Sequence, residues 1–68
     1  MQITVNGKPR QIVGEMDLPA FLRAHDINPR LVAVAVNGHV VPKDRYAETR
    51  VRPGDVLEVV RMVGGGAA

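Results

Sequence analysis

The sequence predicts an α+β domain in which a mixed sheet of four or five strands packs on one helix. Three observations carry that expectation. An Asn6-Gly7 pair stands between two strand-like runs, only residues 18–25 show helical spacing, and the two longest apolar runs, 31–36 and 56–63, are rich in valine. At 68 residues the chain is one domain with a small core, because a chain of this size buries only about 60% of its unfolded surface. The domain is expected over residues 1–63, with 64–68 as a flexible glycine-rich tail.

Gln2-Ile3-Thr4-Val5 alternates polar and apolar residues into Asn6-Gly7, after which Arg10-Gln11-Ile12-Val13 resumes a strand pattern. Asn-Gly between such runs signals a hairpin, and a two- or four-residue loop leaves Ile3 and Ile12 on one face. Pro9 has no amide hydrogen to give a ladder, so the second strand belongs at a sheet edge. Asp17 is a good N-cap, and Leu18-Pro19 suits a first helical turn. Leu18, Phe21, Leu22 and His25 then share one face of a helix of about ten residues, with Arg23 and Asp26 outward and Asn28-Pro29 as the stop. Residues 31–36 read as a central strand, Val on one face and Ala on the other. Val40-Val41-Pro42 adds a short extended segment, and residues 43–48 form a turn or a single helical turn. Arg52-Pro53-Gly54-Asp55 fits a proline-glycine turn that feeds a final strand over 56–63. Hairpin, helix, strand, short excursion and strand is the order of the β-grasp arrangement. A single helix covers one face of a sheet, yet Val34 and Ala35, like Val59 and Val60, are apolar on both faces. The uncovered face is therefore expected to be a docking surface.

Composition removes most other functions. Nine Lys and Arg against seven Asp and Glu give +2, but the basic residues are dispersed and the aromatic residues are only Phe21 and Tyr46. A nucleic-acid module needs clustered cations and stacking rings, so no nucleic-acid partner is expected. No apolar stretch approaches the ~20 residues of a membrane span, and Met1-Gln2-Ile3-Thr4 lacks the regions of a secretory signal, so no membrane partner is expected. The absence of cysteine excludes disulfides, thiolate zinc and a cysteine nucleophile, and it suits a reducing cytoplasm. His25 and His39 lack metal-ligand spacing, and the chain has no serine. Thr4 and Thr49 have no base beside them, and the carboxylates are better explained as cap, turn and surface groups. The chain is therefore expected to bind no cofactor or metal and to be no enzyme.

What remains is the end, Arg61-Met62-Val63-Gly64-Gly65-Gly66-Ala67-Ala68. Consecutive glycines make a thin thread rather than an element. One reading is a frayed terminus or an expression remnant. The other is a thread that enters a partner's active site, because only a backbone without side chains passes a narrow channel. Such a carboxylate is a poor electrophile, and activating it as an anhydride with AMP takes ATP and Mg²⁺, which the partner supplies.

Gln2-Ile3-Thr4-Val5-Asn6-Gly7, then Val32-Ala33-Val34-Ala35-Val36-Asn37-Gly38 with Val41-Pro42, then Pro53-Gly54-Asp55-Val56-Leu57-Glu58-Val59-Val60 ending in Val63-Gly64-Gly65-Gly66, together resemble the ThiS family of sulfur carriers in thiamin biosynthesis. The resemblance spans residues 1–66 and rests on order and spacing. It implies a ubiquitin-like protein whose terminal glycine is adenylated by a ThiF-like adenylyltransferase, converted to a thiocarboxylate, and relieved of its sulfur by a ThiG-like thiazole synthase. On this chain Gly66 would carry the sulfur, with Gly64 and Gly65 in the channel. Arg61 and Met62 would hold the thread's root on the partner, although Met62 fits the core equally well. Ala67-Ala68 departs from the pattern, since a peptide bond at Gly66 leaves no free carboxylate. The departure has several readings: a cap removed by a tail-trimming metalloprotease, as in carriers serving methionine or cysteine synthesis, a blocking extension, or adenylation elsewhere in the tail. A ubiquitin-like binding or conjugating module is the rival function.

Overall fold

The computed structural model describes residues 1–62. Val63, and the expected tail over 64–68, lie outside the described residues. The chain forms strand β1 (Gln2–Val5), β2 (Lys8–Gln11), β3 (Met16–Asp17), helix α1 (Leu18–Ala24), β4 (Val32–Val36), β5 (His39–Val40), β6 (Arg50–Val51) and β7 (Val56–Arg61). Two 3-10 turns, Pro29–Leu31 and Lys43–Glu48, complete it. The main sheet has five strands in the order β2-β1-β7-β4-β5. β7 runs parallel to β1 and antiparallel to β4, so the last strand in sequence is the middle strand in space.

The hairpin forms as a two-residue turn. Asn6 at φ 52° and Gly7 at φ 81° both take positive φ, as the right-handed twist of the flanking strands requires. The strand after the turn is Lys8–Gln11 rather than 10–13. Ile12, just past the strand, buries its side chain while its amide donates to the Met1 carbonyl and its carbonyl accepts from the Met1 ammonium, both at 2.8 Å, and Val13 is fully exposed. Pro9 lies in β2, an edge strand, where its missing N–H costs no ladder bond.

Asp17 caps α1 by accepting a hydrogen bond from the Ala20 amide at 2.8 Å. The helix is seven residues long, not about ten, because it stops before Asn28-Pro29 is reached. Asp26 takes φ 60°, and the Ile27 and Asp26 amides donate back to the Leu22 and Arg23 carbonyls at 2.8 and 3.0 Å. That pair of bonds is a Schellman closure with aspartate where glycine is usual. Asn28-Pro29 instead opens the next 3-10 turn, with the Asn28 side chain accepting from the Arg30 amide.

Ile3, Ile12, Leu18, Phe21, Leu22, Val32, Val34, Tyr46, Val51 and Leu57 form the core between sheet and helix. β4 is an inner strand rather than the middle one, flanked by β7 and the two-residue β5. A second, two-stranded sheet, β3 with β6, braces the start of the helix. The proline-glycine turn forms with Gly54 at φ 83° and the Asp55 amide on the Arg52 carbonyl. Residues 43–48 make six residues of 3-10 helix that bury Tyr46, whose hydroxyl donates to the Val32 carbonyl at 3.0 Å.

Burial pushes the Tyr46 phenol above its ordinary pKa, with a backbone hydrogen bond at Val34 opposing. A raised folded pKa means that the unfolded state loses its proton first. This contribution is therefore complete below about pH 10 and declines as pH rises further. Tyr46→Phe is expected to lower stability by about 1 kcal/mol at neutral pH and to lessen the alkaline decline, as read from urea unfolding against pH. In the same assay Leu57→Ala costs about 2–5 kcal/mol, whereas Val60→Ala, on the outer face of the same strand, stays within about 0.5 kcal/mol.

Candidate functional site

The site is built around β7, because that strand carries the chain to the glycines. Its side chains alternate: Leu57 is buried and Val59 half-buried on the helix side, while Val56, Glu58 and Val60 face outward. Arg61 ends the strand opposite Val32, with an exposed side chain. Met62 follows it at 41% exposure, outside the core, its amide donating to the Leu31 carbonyl at 2.9 Å. Of the residues the sequence singled out, the structure thus places Arg61 and Met62 together at the exposed end of β7. Gly64, Gly65 and Gly66 lie outside the described residues.

Both Asn-Gly turns do more than reverse the chain. The Asn6 side chain donates from Nδ2 to the Val59 carbonyl at 3.1 Å and accepts from the Val59 amide at 2.8 Å. One side-chain amide therefore continues the parallel β1–β7 ladder after the main chain of β1 has turned away. On the other flank, Asn37 at φ 52° accepts from the Val56 amide at 2.9 Å and donates to Asp55 at 3.1 Å. Asp55 in turn accepts from the Arg52 amide at 2.8 Å. Sequence reasoning took these pairs as turn signals and missed the clamps. The available clue was that each Asn ends a strand destined to flank the last one.

The outer sheet face is apolar and uncovered, as the double-parity pattern predicted. Ala33, Ala35, Val40 and Val60 gather there, with Val40 at 76% and Val60 at 61% exposure. They line a shallow depression of about 180 Å³ beside Glu58.

The described residues hold no grouping of three His, Asp or Glu side chains that could bind a metal ion. His25 closes the helix, its Nδ1 at 3.0 Å from the Phe21 carbonyl and its ring 4.4 Å from the Phe21 ring. His39 opens β5 directly after the second Asn-Gly turn, paired with Val36, with Nδ1 3.1 Å from the Asn37 carbonyl. Asp17 is a cap, Glu48 pairs with Arg45 at 3.0 Å, and the Thr49 hydroxyl donates to the Arg45 carbonyl. Each of these groups has a structural partner, and none faces a nucleophile. Among the described residues no helix is long and apolar enough to cross a membrane.

The sequence profile of the ThiS family matches residues 3–66. The chain belongs to the ThiS family. Its structure is similar to the crystal structure of the thiamine biosynthesis protein ThiS from Geobacter metallireducens, with a TM-score of 0.84 and 33% identity over 97% of this chain and all of that one. The fold is therefore the expected β-grasp. The sulfur carrier protein ThiS of Bacillus subtilis is 36% identical over 46 residues, 68% of this chain and 70% of that protein. A thiazole synthase from Paramagnetospirillum magneticum is 39% identical over 67 residues, which are 98% of this chain and 21% of that protein. This ThiS-family chain thus spans about a fifth of the length of that relative.

If Asn6 clamps β7, Asn6→Ala is expected to speed hydrogen exchange at the Val59 amide about fivefold, the effect of one lost hydrogen bond, while Val56 is little changed. Asn37→Ala is expected to do the reverse, with amide NMR as the readout.

Proposed function

We propose that this chain is a sulfur carrier of thiamin biosynthesis, a protein co-substrate whose reactive group is the carboxylate of Gly66. The observation that carries the reading is a middle strand clamped on both flanks that ends at exposed Arg61 and Met62, immediately before Val63-Gly64-Gly65-Gly66. No side chain among the described residues offers a rival chemistry.

The Gly66 carboxylate attacks the α-phosphorus of ATP, forming an acyl adenylate and releasing pyrophosphate. Hydrosulfide from a sulfur donor then attacks the acyl carbon and expels AMP, leaving the thiocarboxylate. ATP and Mg²⁺ belong to a ThiF-like adenylyltransferase, which also provides the charge stabilisation that this chain lacks. A ThiG-like thiazole synthase takes the sulfur. Supporting that partner, a ThiS-like segment makes up about a fifth of the Paramagnetospirillum thiazole synthase. Gly64 and Gly65 pass the partner's channel, Arg61 and Met62 rest at its mouth, and the apolar outer face around Val60 docks on the partner's surface. Where Ala67 and Ala68 follow Gly66, its carboxyl is in a peptide bond, so the route requires cleavage after Gly66 by a trimming protease. The cysteine-free chain suits the reducing cytoplasm, where ATP is also at hand.

The test is intact mass spectrometry on a form ending at Gly66, incubated with ATP, Mg²⁺, the cognate activating enzyme and a sulfur source. The expected result is a mass gain equal to one oxygen replaced by sulfur, and an unchanged mass contradicts the reading. Gly65→Val is expected to keep the melting temperature and abolish the gain. Val60→Asp is expected to slow activation while leaving stability within about 0.5 kcal/mol of the parent.

A further inference from the structure

A second concavity lies on the opposite side of the sheet, away from the apolar outer face. In the antiparallel register Arg10 stands opposite Ile3 and Arg61 opposite Val32, so both arginines occupy the sheet face that carries the core. The seven-residue α1 is too short to cover that face to its edge, and β2 is exposed along its whole length. The uncovered remainder is a groove of about 330 Å³ with Val5, Phe21, Ile27 and Val59 as apolar walls and Arg10 and Arg61 among its lining. No carboxylate lines it, and among the described residues neither guanidinium is in an ion pair.

We propose that this groove is a binding site for a small amphipathic organic anion, an apolar body bearing a carboxylate or similar group. Its volume is at the small end of the range for small-molecule pockets, ~300–1,000 Å³, whereas the depression on the outer face, about 180 Å³, falls below that range. The apolar walls take the body of the ligand. The two arginines, always charged and shaped to grip a planar carboxylate, take its head. Asn6 also lines the groove, but its amide is already committed to Val59. His25 lines it too, with its Nδ1 3.0 Å from the Phe21 carbonyl, so the two arginines are the permanently charged groups and set the preference for charge. The groove shares Arg61 with the end of β7 that the proposed function turns toward the partner, but binding in it needs neither the glycines nor a partner enzyme, so it is read on the chain alone.

The test is an amide NMR titration of the full chain, without ATP or partner, using hydrocinnamate as probe and hydrocinnamyl alcohol as its neutral counterpart. The proposal expects saturable shifts confined to Val5, Phe21, Ile27, Val59, Arg61 and their neighbours, with the alcohol at least about threefold weaker, as for a partly exposed charge pair. Arg10→Gln, at an exposed edge position, is expected to weaken the acid about threefold and leave the alcohol unchanged. Equal affinity for acid and alcohol, shifts centred on Val40 and Val60, no saturable shift, or an unaffected Arg10→Gln variant would each overturn it. The acid and alcohol comparison on the parent chain stands whatever that variant does to folding.

Discussion

The structure depends on the insertion of β7 between β1 and β4. Strands adjacent in sequence pair readily through a tight turn, but β1 and β7 are separated by most of the chain and run parallel, a pairing of high loop-closure entropy. Leu57, fully buried, provides the apolar gain for that pairing; the Asn6 side chain extends it at Val59, and Asn37 holds Val56 on the β4 flank. Without β7 the sheet falls into two hairpins, β1 with β2 and β4 with β5, each marginal alone.

That placement divides the molecule's surfaces. The helix side of β7 is spent on the core, its outer side remains apolar and open, and its end is exposed at Arg61 and Met62. Among its imidazoles, carboxylates and hydroxyls, those of His25, His39, Asp17, Glu48, Asp55 and Thr49 are engaged in caps, turns and a local ion pair. The division suits a handle, held on both flanks of β7 and apolar on one open face.

The features legible in the sequence were those with a local cause. Asn6-Gly7 fixed the hairpin, Pro9 marked an edge, Asp17 set the start of the helix, and Leu18, Phe21 and Leu22 set its buried face. Both parities of apolar residues in the valine runs foretold the open outer face. Features whose cause lies elsewhere in the chain were not legible. β3 and β6 are two residues each, too short for any periodicity, and exist only because they meet across the helix start. The helix ended early because Asp26 adopted a left-handed conformation more typical of glycine or asparagine. Tyr46 sits in a polar segment, and its burial follows from a hydrogen bond to a strand fourteen residues away. The asparagine clamps are the clearest case, since the partner of Asn6 lies 53 residues along the chain. Of the candidate site, Arg61 and Met62 were placed at the exposed strand end, while Gly64, Gly65 and Gly66 lie outside the described residues.

The most direct test of β7 as the strand on which the others rely is native-state hydrogen exchange across increasing denaturant. Amides of β7 should open only with the whole domain, sharing its global unfolding free energy, while those of β2 and β5 exchange through smaller openings. Release of β7 in a partial opening that leaves α1 and the β1–β2 hairpin protected would contradict that account.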